Sequence, residues 1–122
     1  ADLALLYQAF LHNPDGLWSP EILAAGTRDV RVSLPDMTGL ASNRTLGLIL
    51  AGDDGFADRR GFGRTASPLS FGHPGAGGQM ALADPVSGLS VGYATAGMDQ
   101  HLIREGRRTI ALASRAADLL AD

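Results

Sequence analysis

The sequence predicts an α+β fold: an antiparallel sheet portion with flanking helices and a long C-terminal helix. Apolar residues recur at helical spacing near the start. Several short apolar runs, separated by glycine, proline and aspartate turns, follow in the middle. A long amphipathic stripe then closes the chain. With 122 residues, 45% of them hydrophobic, the chain has the material for one modest core.

In residues 1–13, Leu3, Leu6, Tyr7, Phe10 and Leu11 fall on one helical face, and Asp2 is placed to cap the start. Asn13-Pro14-Asp15-Gly16 ends that helix. Ser19-Pro20-Glu21 supplies a cap, a first-turn proline and an early acid. A short helix therefore runs through Ile22 and Leu23 to about Gly26. Residues 27–44 show no periodicity and read as irregular connection. Strands are expected at 45–51, 69–73, 79–83 and 89–95. Gly52-Asp53-Asp54-Gly55 turns after the first, and residues 56–68 form a loop rich in Gly and Arg. Pro74-Gly75-Ala76-Gly77-Gly78 breaks the second, and Asp84-Pro85-Val86-Ser87-Gly88 joins the last two as a hairpin. Asp99 caps a closing helix over 99–121, whose buried stripe is Ile103, Ile110, Ala113, Ala117 and Leu120. Arg104, Arg107, Arg108 and Arg115 face solvent. The organisation is thus a helical opening at 1–26, a connection at 27–44, a sheet at 45–95 and the final helix.

Composition narrows the chemistry. A net charge of -3 gives no electrostatic reason to bind nucleic acid. There is no cysteine, so disulfides, thiolate metal sites and cysteine nucleophiles are excluded. No apolar stretch is long enough to span a membrane. All ten basic residues are Arg, so no lysine base or Schiff base can act from this chain. His12, His73 and His101 lack ligand-like clustering, and no metal or other cofactor is expected. Asp53, Asp54 and Asp58 lack the alternation of a calcium loop and read as a solvated turn. Arg59, Arg60 and Arg64 read as a solvated face, and Phe10 and Trp18 as core anchors. Taken alone, His73 reads as a satisfied strand-end histidine.

One stretch says more. Phe71-Gly72-His73-Pro74-Gly75-Ala76-Gly77-Gly78, followed by Asp84-Pro85, Gly88-Leu89 and Tyr93, resembles the third motif of serine β-lactamase-like hydrolases. These are the penicillin-binding, class C β-lactamase and family VIII esterase type, in the branch where Lys-Thr-Gly becomes His-x-Gly. Asp2-Leu3-Ala4 and its helix resemble the segment preceding that family's final strands, so the likeness spans nearly the whole chain. It implies the C-terminal portion of a β-lactamase/transpeptidase-like fold that hydrolyses an acyl ester or amide through an acyl-serine intermediate.

By that resemblance His73 takes the position of the Lys and assists proton transfer or polarises the substrate. Pro74 takes that of the Thr and Gly75 that of the Gly, while the Ala76 N–H forms half of an oxyanion hole. Gly75 and Gly77 would line the substrate path, where a missing side chain lets an acyl group reach the backbone. The family's Ser-x-x-Lys and Tyr-x-Asn are absent, so the chain alone should be inactive. Tyr93-Ala94-Thr95-Ala96 lacks the Asn usual after the last strand's Tyr in that family, which points to an esterase or an uncharacterised hydrolase over a true β-lactamase. The implied partners are the missing N-terminal portion of the parent enzyme and a small acyl substrate. The isolated chain is expected to form a homodimer or a domain swap, because the surfaces left open invite association. Any targeting segment would lie upstream, and the cytoplasm is favoured. A non-catalytic interaction module derived from the same fold is the competing reading. A phosphate-binding loop at His73 to Gly78 is disfavoured, since the glycines lead into a strand and the P-loop Lys is missing.

Overall fold

A computed structural model describes residues 1–120; position 121, where the closing helix is expected to end, lies outside them. Helix α1 (Asp2–His12) is followed by α2 (Pro20–Thr27). Four strands come next: β1 (Ile49–Leu50), β2 (Phe71–Gly75), β3 (Gln79–Asp84) and β4 (Leu89–Tyr93). Helix α3 (Leu102–Asp118) closes the described chain. The strands form one antiparallel sheet in sequential order, the simplest result of short turns between consecutive strands. The α+β expectation therefore holds, with helices on both faces of the sheet.

Register assigns each face its partner. Phe71, His73 and Gly75 sit opposite Ala83, Ala81 and Gln79, so these residues share one face. Tyr7 of α1 packs there with Leu50, Phe71, Ala81 and Ala83, and Phe10 and Leu11 extend the cluster. The Tyr7 and Phe71 rings stack with centroids 6.1 Å apart. On the other face Met80, Leu82 and Ile49 meet Ala51, Phe62 and Ala113, with Val91 and Tyr93 packed at the margin. Phe62 is 1% exposed. Fully burying a ring of this kind contributes roughly 1.5–3 kcal/mol.

Pro74 lies inside β2, which runs two residues beyond the expected strand end because the turn falls at Ala76–Gly78. A proline there costs no ladder bond. Ser70 and Pro68 turn their carbonyls toward Ala51 and Gly52, so even-numbered residues of this segment face β1. Strand β1 begins only at Ile49, opposite Gly72, and leaves the edge at Pro74 free of it. The first strand is correspondingly short: of residues 45–51 only Ile49 and Leu50 pair, since Thr45 to Leu48 close a local turn through the Thr45 hydroxyl.

The Asp84 hairpin forms as expected, but Asp84 itself is buried. It accepts from the Ser67 hydroxyl at 2.6 Å and from the Val86 N–H at 2.9 Å, tying the preceding loop to the turn. Ser19 caps α2 through Ile22 N–H. Other expectations need correction. Asp2 is the first helical residue, and Ala1 holds the cap position. Residues 27–44 are less irregular than expected: Val32 bridges Arg44 and Pro35 bridges Ala41, making a narrow two-legged arm. Residues 56–68 contain a 3-10 turn at Ala57–Arg60. Arg60 is not solvated: it is 6% exposed and donates to Ala41 O at 2.8 Å, to Ala51 O at 2.7 Å and to Asp54. Asp54 is thereby an ion-pair partner and not a free turn carboxylate. In α3 the buried residues are Thr109 and Ala113, whereas Ile103 is 64% and Leu120 53% exposed. The helix begins at Leu102 with His101 as its cap, so Asp99 stands one turn before it.

Candidate functional site

The strand β2, its turn and the start of β3 hold every residue singled out by the sequence. His73 projects from the α1 face of β2, opposite Ala81, and is exposed. Its Nδ1 lies 2.6 Å from Pro74 O and its Nε2 3.3 Å from Arg44 Nη1. A carbonyl only accepts and a guanidinium only donates, so this geometry fixes the tautomer: Nδ1 carries the proton and Nε2 the lone pair. Held so, His73 can receive a proton on Nε2 but cannot donate one from it.

His73 and Gly75 line a groove of about 300 Å3 with Leu3, Tyr7, Gln79 and Tyr93 among its walls. Burial raises the Tyr7 hydroxyl above its ordinary value, so it stays protonated at neutral pH. Gly75 ends β2 opposite Gln79, where an added Cβ would lie 3.1 Å from the Gln79 Cβ. Ala76 occupies the exposed turn, and its carbonyl accepts from Gln79 Nε2 at 3.3 Å.

Gly77 is placed differently. It adopts φ 81°, a left-handed conformation that glycine takes without a Cβ penalty, and it is buried. An added Cβ would lie 2.7 Å from Met98 Cα. Its carbonyl accepts from Asp99 N–H and from Arg108 Nη2, both at 3.3 Å. Neither Ala76 nor Gly77 lines the groove that holds His73. The structure thus brings His73 and Gly75 to one cavity, and sets Ala76 and Gly77 in the adjoining turn.

That turn is clamped from α3. Asp99 receives Arg104 through Nε at 2.9 Å and Nη2 at 2.8 Å, and Arg108 Nη1 at 3.3 Å. Hydrogen bonding from Arg104, helped by His101 N–H, holds the Asp99 carboxyl well below the usual carboxylate range. Arg108, expected on the surface, is half-buried and spans Asp99 and Gly77. Sequence reasoning missed Arg44 and the clamp alike. Arg44 stands 29 positions from His73, and only the folded arm joins them. Arg104 and Arg108 at helical spacing after an Asp are a signal that could have suggested the clamp.

No group of three or more potential metal-ligating side chains occurs among the described residues. No described helix is long and apolar enough to cross a membrane. Neither a scan against models of known protein families nor a search of curated proteins finds a match to this sequence.

Proposed function

We propose that this chain supplies one wall of the active site of a serine hydrolase of the β-lactamase, penicillin-binding and esterase type. The hydrolase would cleave an acyl ester or amide through an acyl-serine intermediate. The observation that carries the reading is the β2 edge. A histidine whose Nε2 lone pair faces Arg44, a glycine and a tight turn follow one another beyond the stretch of β2 that β1 pairs. Ala76 follows Gly75 at once in the exposed turn, and its N–H is the oxyanion donor this reading assigns. His73 in its Nδ1–H form suits proton acceptance during acylation better than substrate polarisation. Gly75 leaves the strand edge open to the acyl group, and the carbonyl of Gly77 anchors the turn from behind.

The nucleophile is not in this sequence, which has no Lys and hence no Ser-x-x-Lys. Turnover in this reading requires a second polypeptide portion that carries the serine, and no cofactor takes part. His73→Ala in the gene's complete product should lower kcat by about 100-fold or more, the usual contribution of a positioned acid or base. Unchanged acylation kinetics would remove His73 from the mechanism.

A second reading, an interaction module without catalysis, is favoured by α3. Leu102 and Ile103 at its start are 80% and 64% exposed and Leu119 at its end 82%, apolar side chains open to a partner portion or a second copy of the chain.

A further inference from the structure

A cavity of about 240 Å3 opens between the end of α1, helix α2 and the turn at 46–48. Its walls include Phe10, Trp18, Leu23, Leu46 and Leu48, with Gly26 on the α2 side. None of these residues lines the His73 groove, so the cavity stands apart from the proposed hydrolase site. The hydroxyls of Thr27 and Thr45 and the Leu46 N–H beside it are already engaged. Thr27 Oγ1 donates to Leu23 O at 2.7 Å, Thr45 Oγ1 donates to Gly26 O at 2.5 Å, and Leu46 N–H donates to Ala25 O at 2.8 Å. A guest would meet mostly hydrocarbon surface, and charge pressed against it would lose its hydration without compensation.

Gly26 is the second observation. Glycine is the poorest helix former after proline, yet here it lies inside α2. It has no positive φ, and Arg28 holds the C-cap position, so no terminating role explains it. An added Cβ would meet nothing within 4 Å, so no neighbour demands the absence of a side chain either. What glycine does at this position is leave the cavity open. The walls are also held in place. Asn13 bonds both the N–H and the carbonyl of Trp18, at 3.0 and 2.9 Å, and the indole packs on Phe10 with ring centroids 5.0 Å apart. The pocket opens to solvent beside Ile22 and Leu46, which are 54% and 60% exposed, and its volume exceeds the roughly 150 Å3 in which an enclosed apolar cavity accepts a benzene-sized guest.

We propose that this cavity is a binding site for a small uncharged apolar ligand the size of a single aromatic ring. Trp18 is the only tryptophan, so its emission reports directly on occupancy. Benzene titrated into the chain should change Trp18 emission saturably, with methyl NMR shifts concentrated on Ile22, Leu23, Leu46 and Leu48. Gly26→Leu, whose Cβ would meet no neighbour within 4 Å, should occupy the space and weaken binding at least about tenfold, while the circular dichroism stays that of the parent. Leu48→Phe, which narrows the same space from the opposite wall, should weaken it likewise. A non-saturable response, shifts spread equally over the exposed Leu102 and Leu119, or undiminished binding in a folded Gly26→Leu chain would overturn the proposal. If Gly26→Leu does not fold, Leu48→Phe and the location of the wild-type shifts decide it.

Discussion

The two faces of the sheet are built by different means. Against α1 the contact is aromatic: Tyr7, Phe10 and Phe71 meet edge-on or stacked, and Trp18 continues the series beyond Phe10. Against α3 an aliphatic cluster around Phe62 and Ala113 is joined by small residues and polar ties. A Cβ on Gly63 would lie 2.5 Å from the Ser114 backbone N, so loop and helix touch backbone to backbone. Arg64 N–H donates to Ser114 Oγ at 2.9 Å nearby, and the Asp99–Arg108 clamp holds the other end. The α1 face is therefore secured by packed rings, and the α3 face by its apolar cluster together with close approach at one point and charge at another. That division matters for function, because the Gly77 turn hangs from the second kind of support.

The sharpest way to break the comparison is Phe71→Ala. Phe71 is 3% exposed and touches two α1 rings, so its loss should cost about 3–5 kcal/mol, read as a lowered denaturant midpoint. A cost no larger than that of a surface substitution would mean that α1 is not anchored by rings. Gly63→Ala should cost less, about 1–3 kcal/mol, through overpacking against Ser114. Its effect should be local: hydrogen exchange should quicken across α3 and the Gly77 turn while α1 keeps its protection. Equal loss of protection in both helices would show that the two faces are one cooperative unit.

Acid gives the smallest effect. Hydrogen bonding from Arg60 lowers the Asp54 carboxyl to about 2, and Arg104 lowers that of Asp99 in the same direction. Both groups have folded values below their unfolded ones, so their stabilisation is full above the unfolded carboxyl value of about 3.9. It decays as pH falls from there through the folded values. Thermal midpoints should fall across that window and be flat from pH 5 to 7, with the α3 side loosening as the clamp protonates. An unchanged midpoint down to pH 2 would contradict these pairings.

Local chemistry made much of this legible in the sequence. Ser19-Pro20-Glu21 started α2, and Asp84 to Gly88 turned the chain, because caps and turns are decided by neighbours a few residues apart. The motif from Phe71 to Gly78 fell on a strand and a turn for the same reason. Non-local matters were not legible. Arg60 reads as solvated by type, yet its planar fork finds the carbonyls of Ala41 and Ala51 and the Asp54 carboxylate, contacts that exist only after the arm folds back. The arm itself has no strand-like alternation, since isolated bridges and not a continuous ladder hold it. The α3 stripe was misjudged at its ends. Ile103 and Leu120 follow the helical period, but the sheet reaches only the middle of the helix, at Thr109 and Ala113. The Arg44 contact to His73, which selects the imidazole tautomer, likewise had no local signature.

The most direct test of the hydrolase reading is covalent labelling by a fluorophosphonate, read as intact mass and then by peptide mapping. The chain of 122 residues alone should gain no adduct, since it holds serines but no Ser-x-x-Lys. The complete product of its gene should gain one adduct, on the serine of a Ser-x-x-Lys outside this sequence. An adduct on a serine of this chain alone, or none on the complete product, would contradict it.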